Sequence, residues 1–189
     1  MSAQAHDLPR KHQLSVHDYH RMVEAGILSA ELRVELIGGE IIDMAPIGSR
    51  HAAIVNRLNQ MFSLACGVDA IVAVQNPVVL GDDSEPQPDL TLLRPRDDFY
   101  AARHPRPEDI LLIVEVADTT RSYDRDVKLP LYALHGIPET WLVDLEASTV
   151  TRFSRPRGEA YEEIKVLSGH EAPLALPSCG VSLESIFDR

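Results

Sequence analysis

Three charged side chains in the middle of the sequence have types and surroundings that suit metal-dependent chemistry. Asp89 directly precedes the apolar run 90–93, Glu115 lies near the end of the apolar run 110–116, and Lys128 follows on a segment with helical spacing. If the two runs form neighbouring strands, the carboxylates converge at one edge of a sheet. Two carboxylates suit Mg²⁺ or Mn²⁺, which prefer oxygen ligands. A nearby lysine can orient water or stabilise a developing negative charge, so together these groups could hydrolyse a phosphodiester.

Each candidate residue also has a purely structural interpretation. Asp89 could be a turn acid that follows a proline. Glu115 could form a structural salt bridge, since a buried carboxylate is costly unless it is paired or bound to a metal. Lys128 could be a solvated helix residue and Glu35 an exposed hairpin residue. For His51, which starts a predicted helix, the favoured interpretation is a histidine whose polar atoms bond to the backbone.

Two histidines near the N-terminus are spaced for a possible zinc site. His17 and His20 lie three residues apart on a predicted helix, a spacing that could bind zinc. A third ligand is not evident from the sequence. Surface histidines are therefore the favoured interpretation.

The elements that must position the central charges can be predicted from periodicity and turn residues. Ser15 is a predicted cap for an N-terminal helix, and the Gly38-Gly39 pair between two apolar runs predicts a β-hairpin. The run 110–116 is typical of a strand buried on both faces. A helix at 123–135 lies between that run and a predicted strand at 141–145, and this order favours a parallel crossover.

The remaining pattern predicts a single α/β domain around a mixed sheet over residues 14–189, after a disordered tail at 1–13. Further elements are a helix at 51–65, strands at 70–74, 77–80, 149–154 and 160–165, a turn at 155–158 and a closing helix at 182–187.

The composition of the 189 residues limits the possible function classes. The chain contains no apolar stretch of about 18 residues and no apolar N-terminal signal core, so we expect a cytoplasmic protein without a membrane segment. Its cysteines, Cys66 and Cys179, have no metal-type spacing, and we expect both to be reduced. The net charge of -11 opposes non-specific attraction to nucleic acid. Acids gathered around a metal would contribute to that charge, and the metal would offset part of it.

The central motifs together resemble the Uma-two family of predicted endonucleases, which belongs to the restriction-endonuclease-like superfamily with the motif PD-(D/E)xK. The resemblance covers most of residues 30–145 and is specific as a set. It rests on Pro88-Asp89, on Val114-Glu115-Val116, on the spacing of Asp124, Lys128 and Tyr132, on the run 136–144, and upstream on residues 35–41 and His51.

The resemblance implies a restriction-endonuclease-like core, in which helices flank a mixed sheet, and Mg²⁺-dependent cleavage of DNA. It matches Asp89 to the motif aspartate and Glu115 to the second acid, both as metal ligands. The motif lysine would lie two residues after Glu115, where this chain has Ala117. The resemblance implies that Lys128 replaces it from the following helix, and Glu35 would add a further catalytic carboxylate.

Two functional hypotheses follow from these observations. The first is a Mg²⁺- or Mn²⁺-dependent DNA endonuclease whose catalytic residues are Glu35, Asp89, Glu115 and Lys128. A homodimer would suit this activity, because two sites can cut both strands of a duplex. The alternative is a non-catalytic interaction or regulatory protein that keeps the nuclease fold. The acidic net charge and Ala117 favour this alternative.

Overall fold

The computed structural model describes residues 11–29, 31–118 and 121–187. Its helices are α1 (Val16–Glu24), α2 (Ser49–Cys66), α3 (Arg121–Tyr123), α4 (Leu129–Leu134) and α5 (Glu184–Phe187), with a 3₁₀ turn at Pro107–Asp109 and a π-helical turn at Asp124–Lys128. Its strands are β1 (Val34–Ile37), β2 (Glu40–Asp43), β3 (Ile71–Val74), β4 (Leu90–Leu93), β5 (Ile110–Ala117), β6 (Glu139–Asp144), β7 (Thr149–Arg157), β8 (Ala160–Val166), β9 (His170–Glu171) and β10 (Val181–Ser182). The predicted tail falls mostly on residues 1–10, which lie outside the described residues.

Six strands form one mixed sheet in the order β3-β4-β5-β6-β7-β8. The β5–β6 pair is parallel, and the other neighbouring pairs are antiparallel. The helical segment between β5 and β6 is the crossover that a parallel pair requires. The predicted α/β fold, with its mixed sheet, N-terminal helix and hairpin, is therefore confirmed.

The N-terminal helix and the hairpin pack together beside this sheet. The side chain of Ser15 caps α1 and forms the predicted capping box with Asp18. Strands β1 and β2 pair antiparallel with Gly38 and Gly39 at the turn. Both glycines have positive φ values, 55° and 75°, and a two-residue hairpin turn of this kind requires that conformation. The hairpin thereby fixes the orientation of β1, which carries Glu35.

Helices cover both faces of the sheet. Helix α2 packs Leu58 and Phe62 into one apolar cluster with Trp141, and the rings of Phe62 and Trp141 lie 5.8 Å apart between centroids. On the other face, Leu129 and Tyr132 of the crossover pack into a second cluster. Strand β5 contributes side chains to both clusters, as expected for a strand buried on both faces.

The predicted continuous helix at 123–135 is interrupted in the structure. Residues Asp124–Lys128 form a π-helical turn, in which the N–H of Leu129 donates to the carbonyl of Asp124. Pro130 follows immediately and has no N–H, so it cannot continue the ordinary helical ladder. π-Turns inside helices are frequent at functional sites, and this one ends at Lys128.

The predicted strand at 77–80 is wrong. Its backbone N–H groups bond to scattered partners instead of a neighbouring strand: Val78 donates to Pro86, Val79 to Pro105 and Leu80 to Ser84. Pro77 also lacks an N–H, which disfavours a central strand. The segment is consequently an irregular loop, held by hydrogen bonds to residues 84, 86 and 105.

Two smaller differences concern the C-terminal part. The predicted turn at 155–158 comes later, because β7 runs to Arg157, which pairs with Ala160. The predicted helix at 182–187 is shorter, since Val181–Ser182 pairs with β9 before α5 begins. Cys66 and Cys179 are both free and buried. Among the described residues, the helices are too short or too polar to cross a bilayer.

Candidate active site

The register of the sheet brings Asp89 and Glu115 together. Strands β4 and β5 are antiparallel with Leu90 opposite Val114, so Asp89 and Glu115 are the next residues across from each other. Side chains at opposite positions of an antiparallel pair share a face. The N–H of Asp89 lies 3.4 Å from Oε2 of Glu115, and the N–H of Val116 donates to Oδ2 of Asp89 at 2.9 Å. The predicted convergence of the two acids is therefore present.

Two further side chains hold the Asp89 carboxylate. Nε2 of Gln75 donates to Oδ1 of Asp89 at 3.3 Å, and Nε2 of His51 lies 3.0 Å from Oδ2. Gln75 directly follows β3, in which Val74 pairs with Leu90. It therefore lies opposite Asp89, just as Asp89 lies opposite Glu115. Sequence reasoning missed Gln75. The available signal was its position directly after a predicted strand, since Asp89 lies directly before one.

His51 differs from its favoured interpretation. Its Nε2 contacts Asp89, while its Nδ1 is buried without a hydrogen-bond partner among the described residues. The hydrogen bond that His51 donates to the Asp89 carboxylate raises the pKa of His51, and burial acts in the opposite direction. The imidazole thus belongs to the surroundings of the Asp89 carboxylate rather than to a helix cap.

Lys128 lies between two buried carboxylates. Its Nζ is 3.4 Å from Oε2 of Glu35 and 3.3 Å from Oε1 of Glu115. The lysine is 5% exposed, and the two glutamates are 2% exposed each. Glu35 is therefore not an exposed hairpin residue, and Lys128 is not a solvated helix residue. The ammonium lies beside Glu115, although Ala117 stands where the superfamily motif has its lysine.

Hydrogen-bond donors fix both glutamates. The hydroxyl of Tyr132 donates to Oε1 of Glu115 at 2.5 Å, and that of Tyr123 lies 3.4 Å from Oε1 of Glu35. The backbone N–H of Gln87 donates to Oε2 of Glu35 at 3.1 Å. These bonds orient the carboxylates before any ligand arrives, which is the arrangement that a preorganised site needs.

The buried charges shift each other's protonation. Burial raises the pKa of Glu115 to about 8, against the opposing effect of Lys128 and with further increases from Asp124 and Asp89. Burial alone would lower the pKa of Lys128, but the carboxylates of Glu115 and Glu35 outweigh it and raise that pKa above its usual range. Lys128 consequently stays an ammonium at neutral pH.

All four predicted site residues line one cleft with a volume of about 210 Å³. The described residues around it include two permanent cations, Arg33 and Lys128, and six carboxylates, those of Glu35, Asp43, Asp89, Glu115, Asp118 and Asp124. This excess of negative charge would repel a phosphate but would attract a cation. An all-oxygen donor pair at Asp89 and Glu115 fits Mg²⁺ or Mn²⁺.

Comparison with known proteins identifies the class and then the family. The fold matches a crystal structure described as "a putative nuclease belonging to DUF820 from Anabaena variabilis ATCC 29413", with a TM-score of 0.69 and 18% identity over 92% of this chain and 97% of the other. The two chains therefore share a fold, a mixed sheet flanked by helices. The chain also matches the Uma2 family model, described as "Putative restriction endonuclease", over residues 16–184. The protein therefore belongs to the Uma2 family. A search of curated proteins found no match.

Proposed function

We propose that this protein is an endonuclease that hydrolyses DNA phosphodiester bonds with a bound Mg²⁺ or Mn²⁺. The observation that carries the proposal is the Lys128 ammonium, which lies within 3.4 Å of both Glu35 and Glu115 in the cleft that Asp89 also lines. Membership of the Uma2 family supports a nuclease. The excess of carboxylates in the cleft supports a divalent cation as the cofactor.

Asp89 and Glu115 are the residues that would hold the ion. Asp89 immediately precedes β4, its N–H lies 3.4 Å from Oε2 of Glu115 on β5, and both side chains line the cleft. Both supply the oxygen ligands that Mg²⁺ prefers. When bound, the ion supplies positive charge to the scissile phosphate and lowers the pKa of a bound water. Gln75 and His51 keep the Asp89 carboxylate in position from two sides.

Lys128 stabilises the negative charge that develops on the phosphate. Because two carboxylates keep the amine protonated, it acts as a hydrogen-bond donor and a positive charge rather than as a base. Glu35 acts through Lys128: its carboxylate holds the ammonium and is itself held by Tyr123 and the N–H of Gln87. Glu35 is accordingly a positioning residue for the lysine.

The activity should depend on a divalent metal and on both acids. Purified protein is incubated with supercoiled plasmid and with single-stranded DNA, in Mg²⁺ or Mn²⁺ and in EDTA. We expect cleavage in the metal-containing samples alone, and none by Glu115→Gln prepared in parallel. Absence of wild-type cleavage together with absence of metal binding in calorimetry would favour the non-catalytic interaction protein. Cleavage of RNA alone would replace DNA as the substrate.

Metal binding should strengthen as the pH rises. Burial raises the pKa of Glu115 to about 8, so below that pH the ion must displace a proton from this carboxylate. For one displaced proton, the dissociation constant for Mg²⁺ should fall about tenfold per pH unit between about pH 6 and pH 8 and then level off. Calorimetric titrations across this range measure the slope. A flat profile for the wild type would contradict the assignment of Glu115 as a ligand.

The same proposal includes an expected oligomeric state and an expected cellular location. A homodimer would let two sites act on the two strands of a duplex, and light scattering of the protein with and without DNA measures this. A cytoplasmic location accords with the two free thiols of Cys66 and Cys179.

A further inference from the structure

A second cluster of metal-binding side chains lies outside the residues that line the cleft. His20 comes from α1, Glu85 from the segment before β4, and His104 from the loop between β4 and β5. One ligand atom from each of the three lies within 4.8 Å of the others. Nε2 of His20 is 2.7 Å from Oε2 of Glu85, and the rings of His20 and His104 are 6.2 Å apart.

The carboxylate of this cluster is buried, whereas its two imidazoles are more exposed. Glu85 is 4% exposed, while His20 is partly exposed and His104 is exposed. A buried carboxylate is costly unless it is paired with a cation or bound to a metal. The arrangement therefore offers a negative oxygen at the base and two nitrogen ligands that remain open to solvent, from which an ion can enter.

Backbone hydrogen bonds anchor the segments that carry His20 and Glu85. The N–H of Glu85 donates to the carbonyl of Leu36 at 2.7 Å, so this residue is attached to β1. The N–H of Val16, the first residue of α1, donates to the carbonyl of Asp82 at 2.7 Å. The helix that carries His20 is therefore tied to the turn just before Glu85.

The loop that carries His104 is anchored on both sides of the histidine. Nη1 of Arg103 donates to the carbonyl of His104 at 3.0 Å and to Oδ2 of Asp109 at 2.6 Å. On the other side, the carbonyl of Pro105 accepts from the N–H of Val79 at 2.9 Å. The backbone of His104 is thus held by hydrogen bonds, while the residue itself is exposed to solvent.

We propose that His20, Glu85 and His104 bind one transition-metal ion of the Zn²⁺ type, with water as a further ligand. Two imidazoles and one carboxylate are a known ligand set for Zn²⁺, whereas Mg²⁺ prefers oxygen ligands alone. Ligands about 2.0–2.1 Å from a tetrahedral zinc are roughly 3.3 Å apart. The three atoms lie within 4.8 Å of one another, so a shift of at most about 1.5 Å at the exposed His104 side chain brings it into range. Nε2 of His20 and Oε2 of Glu85, now 2.7 Å apart, would separate by about 0.6 Å.

This ion would fasten three segments that are distant in sequence. It would join α1 and the β4–β5 loop to the segment that leads into Asp89, and so it would stabilise the folded chain. His17, the other histidine of α1, is exposed and is not part of the cluster. The pair His17 and His20 is therefore not the ligand pair. The two ligands that the sequence did not reveal are Glu85, from the segment before β4, and His104, from the β4–β5 loop.

The test is a zinc titration of the full chain, in which His104→Ala and His20→Ala are compared with His17→Ala. The measurements are made in the Asp89→Asn background as well, because zinc could also enter the cleft. We expect one bound Zn²⁺ in the wild-type cluster, unchanged in His17→Ala and weakened roughly 100-fold by removal of either ligand. At zinc concentrations about 100-fold above the dissociation constant, the thermal midpoint should rise by about 5–10 °C.

His104→Ala is the decisive variant because the residue is exposed and its removal should leave the metal-free fold unchanged, as circular dichroism in EDTA verifies. Loss of the zinc-dependent thermal shift in this variant, with retention in His17→Ala, supports the site. If His104→Ala and His20→Ala bind zinc with the affinity and stoichiometry of the wild type, the proposal is overturned.

Discussion

Asp89→Asn should lower the rate of DNA cleavage roughly 100- to 1,000-fold. The substitution keeps the size of the side chain but removes the charge that adjoins Glu115 and that would bind the metal. The amide can still bond to Gln75 or His51, so the fold should persist. Plasmid-cleavage rates measure the first effect, and calorimetric titration with Mn²⁺ should show that metal binding is lost in parallel.

Asp97→Asn is the matched control for this variant. Asp97 is an exposed aspartate of the β4–β5 loop and does not line the cleft. The same isosteric substitution there should leave cleavage and metal binding at wild-type levels. Wild-type cleavage by Asp89→Asn would show that the metal is held elsewhere or that the activity comes from another site.

Lys128→Met should lower both activity and stability. The substitution keeps the length of the side chain but leaves Glu35 and Glu115, each 2% exposed, without their shared cation. Loss of one partner from a buried ion pair costs about 3–5 kcal/mol, which corresponds to a fall of about 6–20 °C in the thermal midpoint for a chain of this size. Thermal unfolding in EDTA at about pH 9, where Glu115 is ionised because its pKa is about 8, measures this loss, and cleavage in saturating Mg²⁺ measures the loss of charge stabilisation.

A second substitution separates the two effects. Lys128→Met combined with Glu115→Gln removes one of the uncompensated charges, so part of the lost stability should return while activity stays absent. Lys165→Met is the surface control, because this exposed lysine pairs with Glu171 at 3.0 Å, and such exposed pairs contribute little. Unchanged stability of Lys128→Met would mean that the glutamates are protonated or hydrated without the lysine.

The acid pair of the site could be predicted from the sequence because it depends on strand register alone. Once the runs 90–93 and 110–116 are paired antiparallel with Leu90 opposite Val114, Asp89 and Glu115 must share a face. The position of Glu35 could be inferred only through the family resemblance. Its burial depends on how the hairpin packs against Gln87, and no local pattern encodes that contact.

Other parts of the site depend on local backbone conformation, which the spacing of apolar residues in the sequence does not predict. Gln75 has a φ of 52°, a left-handed conformation that a strand pattern does not predict. The π-helical turn shifts Lys128 by one residue relative to an uninterrupted helix, and Pro130 is its only clear sequence signal. The cluster of His20, Glu85 and His104 joins segments up to 84 positions apart through loops, so it becomes visible only in three dimensions.

The division of the site between the sheet and the crossover has a mechanical consequence. A lysine at position 117 would share a strand with Glu115, and the two-residue pleat would fix the interval between their charges. Lys128 instead belongs to a helical segment. The distance between its charge and that of Glu115 therefore depends on how Leu129 and Tyr132 pack against the sheet. Repacking of the apolar Leu129 side chain can change the spacing between the Lys128 ammonium and the acids while every residue of the sheet stays in place.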